Sequence, residues 1–382
     1  MDHATQVGLM RRIFGFLDRR TTELAAEATT NRVATYTSEA QLAREREVLF
    51  RSEPLLLGLS SDLPAPGTYL VSSDAGVPIL ALRSRAGDLD AFVAICRHRG
   101  AQVVDEGSGT HAGRFSCPYH GWTYDEAGRL IGQPCQEGFA GLPRESLGLT
   151  RLPIAERHGM IFVRPTPGAP IDVGAHLGGA ENELAALGLQ HHHRFARREI
   201  ERSMNWKLVI DTFLEAYHVT SLHAGSLSPA ILGTTAAWDA FGRGGRLVAA
   251  RRSIADARRQ PESEWNLYEH SVVLYQLFPN TMLIYQVDHA EVVQAYPGRG
   301  GVDTAKVVFT LYTPQPVVDD RTRRHFQSNF DLLLQVTEQE DFRICEQMQR
   351  GFHVDANATV VYGRNEPGLA HYHRMIRAAL GE

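Results

Sequence analysis

The 382-residue sequence predicts an α+β chain of two domains, a small antiparallel β domain followed by a larger one that mixes helices and strands. Three observations predict this class. Between about residues 54 and 165, short β-prone runs alternate with Gly, Pro and Asp turns. The stretch Arg164-Pro165-Thr166-Pro167-Gly168-Ala169-Pro170 holds three prolines in six residues, which favours an extended connection and marks a boundary. Beyond it, helical and strand-like patterns interleave up to a long amphipathic helix and a short terminal one.

Taken in order, residues 1–53 read as a helical segment expected to pack with the larger domain, with Leu24, Ala25, Ala28, Leu42, Val48 and Leu49 at helical spacings and few turn residues. Residues 54–165 supply the strands of the β domain: Thr68–Ser72, Val77–Arg83, Ala91–Ile95, Arg114–Cys117 and Gly159–Val163. In residues 166–382, Glu181–Leu187 and Met204–Val219 are helical candidates. Ser271–Phe278, Thr281–Val287, Val292–Tyr296 and Lys306–Thr313 are strand-like, and Thr322–Gly351 is a long helix before a short one at Ala370–Leu380. The run His191-His192-His193 lies in a polar stretch and reads as solvated surface.

Composition narrows the function. Hydrophobic residues make up 43% and charged residues 22%, a globular balance. A net charge of −5 gives no reason to expect nucleic acid or an anionic membrane as partner. No apolar run approaches the roughly 20 residues that span a bilayer. Arg11-Arg12 precedes a short apolar stretch that Asp18-Arg19-Arg20 interrupts at once, so the start reads as an amphipathic helix rather than an export signal. Four cysteines (Cys96, Cys117, Cys135 and Cys345) are too few for a disulfide scaffold and fit a reducing cytoplasm, where thiolates are free to bind metal.

The first constellation is Cys96-Arg97-His98-Arg99-Gly100, followed, with 18 residues between His98 and Cys117, by Cys117-Pro118-Tyr119-His120-Gly121-Trp122. Two Cys/His pairs on converging loops suit either zinc or a [2Fe–2S] cluster with Cys on one iron and His on the other. Zinc loops habitually space their ligands by at least two residues, so the tight Cys96-x-His98 pair favours the cluster. These two loops resemble the cluster-binding loops of the Rieske ring-hydroxylating oxygenase family. Respiratory Rieske proteins carry an extra, disulfide-forming cysteine in each loop; none is present here, and Cys135 lies well outside.

The second constellation lies between Asn205 and His223. On a continuous helix Asp211, Glu215 and His218 share a face, and burying three such groups without a purpose is costly. His223 follows His218 by five residues, a rotation of about 140° on an ideal helix, so both can meet one ion only if the helix ends or distorts between them. Two histidines and one carboxylate make the facial triad of non-haem Fe(II) oxygenases. On the late helix Phe326, Phe330, Leu333, Leu334, Ile344, Cys345 and Met348 define an apolar face. At ~100° per residue Asp341 falls within about 25° of its centre, whereas Glu338 and Glu340 lie about 75° to 85° away, which makes Asp341 the candidate third ligand.

The His218-x₄-His223 spacing and the segment around Asp341 also resemble the mononuclear-iron site of the same family, and the resemblance covers nearly the whole chain. It implies a Rieske domain and a catalytic domain in which helices pack on an antiparallel sheet (helix-grip, START-like). It implies Cys96, His98, Cys117 and His120 as cluster ligands, His218, His223 and Asp341 as iron ligands, and O₂ as co-substrate. Glu215 takes the position of a carboxylate that links an iron histidine to a cluster histidine of the neighbouring protomer, so a head-to-tail homotrimer is expected, with or without a small β subunit. Asp211, where the family often has Asn, is expected to orient an iron ligand. Many ring-dihydroxylating members have Asp at the bridging position and members acting on quaternary amines have Glu, so Glu215 weakens the case for arene dihydroxylation.

The expected function is a terminal oxygenase that hydroxylates, by mono- or dioxygenation, an aromatic or otherwise largely apolar molecule, with oxidative N- or O-dealkylation as the alternative. A Rieske electron carrier would need only residues 54–165 and leaves His218, His223 and Asp341 without a role. The glycine cluster Gly242-Arg243-Gly244-Gly245 lacks the context of a dinucleotide fingerprint, so NAD(P)H must act through a separate reductase or ferredoxin. Ile210, Phe213, Leu214, Leu222, Trp238 and Phe278 could line an apolar pocket but are read first as core packing. Arg243, Arg246, Arg251 and Arg252 are read as solvated or intersubunit rather than as an anchor for a carboxylated substrate.

Overall fold

The first helix, α1 (His3–Arg19), is started by Asp2, whose side chain accepts the Thr5 N–H at 2.7 Å, and it ends on Arg20 in the left-handed region. Its apolar stripe, Leu9, Met10, Ile13, Phe14 and Phe16, is buried. A strand, β1 (Thr29–Arg32), and a helix, α2 (Glu39–Glu47), follow. The expectation of an all-helical start therefore fails at residues 29–32, because those residues find a partner strand, Thr359–Tyr362, near the far end of the chain. The computed structural model describes residues 1–382 and divides into two units, Glu47–Val173 with Leu189–His191, and Met1–Arg46 with Gly174–Gly188 and His192–Glu382. No helix is long and apolar enough to cross a membrane.

In the first unit the strands are β2 (Leu55–Leu59), β3 (Thr68–Ser72), β4 (Ile79–Arg83), β5 (Leu89–Val93), β6 (Gly107–Thr110), β7 (Arg114–Ser116), β8 (Thr123–Asp125), β9 (Leu130–Gly132), β10 (Arg151–Leu152), β11 (Ile154–Arg157) and β12 (Met160–Val163). They form three antiparallel sheets, ordered β10-β5-β4-β3-β6, β11-β12-β2 and β7-β8-β9. Leu80, Leu82, Phe92, Phe115, Trp122 and Tyr124 make an apolar core that also takes in Cys96 and Cys117.

The second unit is built on one seven-stranded antiparallel sheet, ordered β13-β19-β18-β17-β16-β15-β14. Its strands are β13 (His193–Arg202), β14 (Ile231–Phe241), β15 (Gly244–Arg251), β16 (Ser271–Leu277), β17 (Thr281–Tyr285), β18 (Ala290–Pro297) and β19 (Ala305–Thr313), with β20 (Thr359–Tyr362) paired to β1. Four central strands match the sequence reading. The edge strands were hidden: β13 reads His-Arg-Phe-Ala-Arg-Arg-Glu-Ile-Glu-Arg, a charged edge with no apolar alternation. Within the histidine run, His192 is buried with Nδ1 3.2 Å from the Gly188 carbonyl, so the solvated reading holds only for His191 and His193.

Helices cover this sheet: α3 (Trp206–Asp211), α4 (Asp320–Val336), α5 (Phe342–Phe352) and α6 (Pro367–Ala379). Phe326 of α4 meets Phe195 of β13, and Phe342 of α5 meets Phe309 of β19. Between α4 and α5 the chain widens into a π turn, Thr337–Asp341. Glu45 and Lys207, both fully buried, pair at 2.7 Å, and Trp206 Nε1 donates to the same carboxylate at 2.8 Å, tying the N-terminal segment to the start of α3.

Candidate metal centres

The two Cys/His loops are one turn built twice. Cys96 N–H donates to the Ala101 carbonyl and Cys117 N–H to the Trp122 carbonyl, both at 2.8 Å, while Gly100 and Gly121 N–H close back on the Cys96 and Cys117 carbonyls at 3.0 Å. Each closing glycine has positive φ, +79° and +70°, which is why glycine stands there. His98 and His120 lie two and three residues after their cysteines yet converge, their ring centroids 4.6 Å apart. Both cysteines are buried and free, His98 is half-buried against Trp122, and His120 is exposed. An inner thiol pair and an outer imidazole pair fit a [2Fe–2S] cluster with Cys on one iron and His on the other. Tyr124 Oη accepts the Arg97 N–H at 3.0 Å, which leaves its own proton for Cys96 Sγ at 3.3 Å. Burial, then that sulfur, holds the Tyr124 phenol above its ordinary pKa.

In the second unit the expected helix Met204–Val219 breaks after Asp211. Phe213 and Leu214 N–H turn back three residues, and the Thr212 hydroxyl takes the Val209 carbonyl at 2.9 Å. Asp211, Glu215 and His218 thus do not share a helical face. Glu215 instead starts a new turn, one oxygen accepting the His218 N–H at 3.1 Å and the other bonded to His218 Nδ1. A single turn of helix, Val219–Leu222, then separates His218 from His223, and this break brings their rings to 5.0 Å between centroids.

His218, His223 and Asp341 come together with their ligand atoms within 4.8 Å of one another. Asp341 is buried, 3.0 Å from His223 Nε2 and 3.6 Å from His218 Nε2, and its Oδ1 has no hydrogen-bond donor. An orphaned carboxylate oxygen facing two Nε2 atoms fits a metal ion. Carboxylates hold both Nδ1 atoms: Glu215 on His218, and Glu340 on His223 at 2.6 Å, with Ser226 Oγ donating to Glu340 at 2.8 Å. That fixes the tautomers so that Nε2 carries the lone pair for a metal. Burial works against a charged His223, but Asp341 and Glu340 raise its pKa above the ordinary value, a field that equally favours a bound cation. Glu340 is held below its ordinary value by His223 and Ser226 against partial desolvation.

Two readings need correction. Asp211 does not orient an iron ligand: it accepts from Tyr36 Oη at 2.7 Å and bonds His373 Nε2 at 2.9 Å. Asn31 donates to His373 Nδ1 at 3.1 Å, so Nε2 carries the proton that Asp211 accepts, and the cluster joins the N-terminal segment, α3 and α6. The orienting carboxylate missed in the sequence is Glu340, set aside on an ideal helical wheel; the π turn widens the helix so that consecutive Glu340 and Asp341 both face His223. Glu338 points elsewhere, to Arg202 at 2.6 Å.

A cavity of about 520 Å³ opens beside the triad, between the sheet and α4. Leu247, Leu274, Ile284 and Leu333 form its aliphatic wall, and Phe213 is its one aromatic ring apart from the histidines. Ile210, Leu214, Trp238 and Phe278 are core, as expected. Of the four arginines singled out, Arg251 alone lines the cavity; Arg246 is buried against Glu183 and Asp239.

A Rieske-type domain joined to a domain with a two-histidine, one-carboxylate triad defines a class of two-centre iron proteins. The pattern described as "Rieske [2Fe-2S] domain" matches residues 53–147, and that of "Ring hydroxylating alpha subunit (catalytic domain)" matches residues 189–382. The chain belongs to the ring-hydroxylating alpha-subunit family. It is similar to the glycine betaine monooxygenase oxygenase subunit of Pseudomonas aeruginosa, 29% identical over 195 residues, 51% of this chain and 44% of that protein. The chain thus spans less than half the length of that relative. It is 26% identical to putrescine 2-hydroxylase of Bordetella bronchiseptica over 92% of this chain and 84% of that one. Among solved structures, the quaternary ammonium Rieske monooxygenase CntA with L-carnitine shares the fold at TM-score 0.78 and 20% identity, covering 92% of this chain and 94% of that one. Naphthalene 1,2-dioxygenase with indole shares it at 0.72 and 18%, covering 94% of each chain.

Proposed function

We propose that this chain is the terminal oxygenase of a two-component or three-component system, inserting one oxygen atom of O₂ into a C–H bond of an apolar-bodied substrate while the other leaves as water. Two electrons come from NAD(P)H through a separate reductase, with or without a ferredoxin. Where the hydroxylated carbon is a methyl on nitrogen or oxygen, the same insertion ends in dealkylation with release of formaldehyde. The observation that carries the reading is the convergence of His218, His223 and Asp341 beside a cavity, in a chain that also carries the paired Cys/His loops.

When bound, the metal groups supply one-electron transfer and, at the single iron, coordination positions left open for O₂. The protein's own residues do the rest. Glu215 and Glu340 hold the two imidazoles, and the aliphatic wall excludes water and orients the substrate. Glu215 also borders a second hollow of about 480 Å³, lined in part by the exposed Tyr217. This supports a relay in which the hollow receives the His120 loop of a neighbouring protomer in a homotrimer. The aliphatic wall and Glu215 favour mono-oxygenation over arene dihydroxylation.

The test is metal content with product analysis. The as-isolated protein should hold about three iron atoms per chain, and with a surrogate reductase and NADH it should convert members of a panel of arenes, aryl ethers and N-methyl compounds to mono-oxygenated or demethylated products. Two iron atoms and no O₂-dependent product would reduce it to an electron carrier, and cis-diols would overturn mono-oxygenation.

A further inference from the structure

The cavity wall holds a cation that touches no carboxylate directly. Arg251, the last residue of β15, is half-buried and lines the cavity. Its guanidinium donates to the Gln286 side-chain oxygen at 2.7 Å and weakly to the Ser271 carbonyl at 3.4 Å, both neutral acceptors. No carboxylate lies within 4.0 Å of it. The two carboxylates near that end are already engaged. Glu291 takes His289 Nε2 and the Gln286 amide, each at 3.3 Å, and Asp288 takes His289 Nδ1 at 2.8 Å and His325 at 2.7 Å. Elsewhere in this unit buried arginines are neutralised directly, as Arg246 is by Glu183 and Asp239. Its nearest counter-charge, Glu291, acts only across the Gln286 amide and is shared with His289, and burial outweighs it, so the Arg251 guanidinium is only partly compensated, which is costly unless a further anion joins it.

The sheet register says where that charge would sit. Leu247, Leu274, Ile284 and Glu291 are paired neighbours across four strands, and Leu247 lies on the Glu215 side of the cavity. Arg251 is four residues further along the same strand, about 13 Å at ~3.3 Å per residue. Leu247 and Arg251 thus stand four residues apart along one wall of the cavity.

We propose that Arg251, held by Gln286, is the anchor for a carboxylate on the substrate, and that the substrate is an elongated amphiphile whose oxidised carbon lies on the order of 10 Å from that group. This rests on the oxygenase reading of the same cavity and adds its substrate class. A short zwitterion would reach one end of the cavity only, and the wall beside the triad has no cage of aromatic rings for a quaternary ammonium.

Calorimetric titration of the iron-loaded protein with decanoate, decanol and decyltrimethylammonium tests it without requiring turnover. Decanoate should bind at least tenfold more tightly than the other two. Arg251→Gln should remove that preference while leaving decanol affinity, iron content and melting temperature unchanged, and Arg251→Lys should keep part of it. Equal binding of the three probes, tighter binding of the ammonium, or a preference that survives in Arg251→Gln overturns the anchor. If Arg251→Gln does not fold, the wild-type ranking and Arg251→Lys still decide. Arg251-dependent binding without O₂-dependent product would sink the oxygenase reading and leave the anchor standing; turnover without anion preference would do the reverse.

Discussion

At the scale of single residues, the triad shows how far side-chain chemistry can be read from spacing. His218 and His223 carry their own signal because two imidazoles five apart, after a Cys/His loop pair, have little reason to be there except a metal. Glu340 carried none, since its role depends on a local change of helical pitch. Glu340→Gln should weaken metal binding at this site by about 10–100-fold, seen as metal content after dialysis against a chelator, with the cluster absorption unchanged. Glu215→Gln should lower coupled product formation per loaded iron site by about 10–100-fold, beyond any loss of iron; normal turnover per loaded site would remove Glu215 from the relay. His289 gives a pH prediction. Burial works against its charge, but Glu291 and Asp288 outweigh this and hold its pKa above the ordinary 6.5. A raised pKa adds stability that is complete below the unfolded value and fades as pH rises through the folded one. The urea midpoint should therefore fall as pH is raised above about 6.5, and His289→Gln should flatten that slope; parallel curves for the two proteins would refute it.

At the scale of elements, the π turn Thr337–Asp341 decides whether Asp341 faces the two histidines. It lies between two regular helices, α4 and α5, and the sequence announces those helices through their apolar stripe but not the extra residue between them. Deleting Glu338 should restore a regular helix and turn the residues on one side by ~100° relative to the other, parting Asp341 from the histidines. The expected result is loss of the single iron with the Rieske cluster retained, read by metal analysis and the visible spectrum. The helix break after Asp211 was half legible. The spacing of the two histidines requires a break before both can meet one ion, but nothing local showed that Asp211 would be drawn away by Tyr36 and His373, residues 175 and 162 positions distant. Strands β16 to β19 were legible because both faces are apolar; β13 was not, because its charges suit an edge.

At the scale of the whole molecule, residues 1–46 group with the catalytic unit. Its buried pair Glu45–Lys207 should cost about 3–5 kcal/mol when Glu45→Ala strands the lysine, because a lone buried charge is worse than none. The double variant Glu45→Met/Lys207→Met should recover most of that loss, as measured by urea unfolding; equal damage in single and double variants would mean that packing rather than charge is at stake. The Rieske unit, nearly all of it a continuous stretch, interrupts the catalytic one. During synthesis this becomes a matter of time. The strand β1 is made 331 positions before its hydrogen-bonded partners near Tyr362, which at ~5–20 residues per second is a wait of roughly 15 to 65 s. The cluster-binding unit can close long before the catalytic unit has all its parts, and the apolar stripe of α1 must stay out of trouble in the interval.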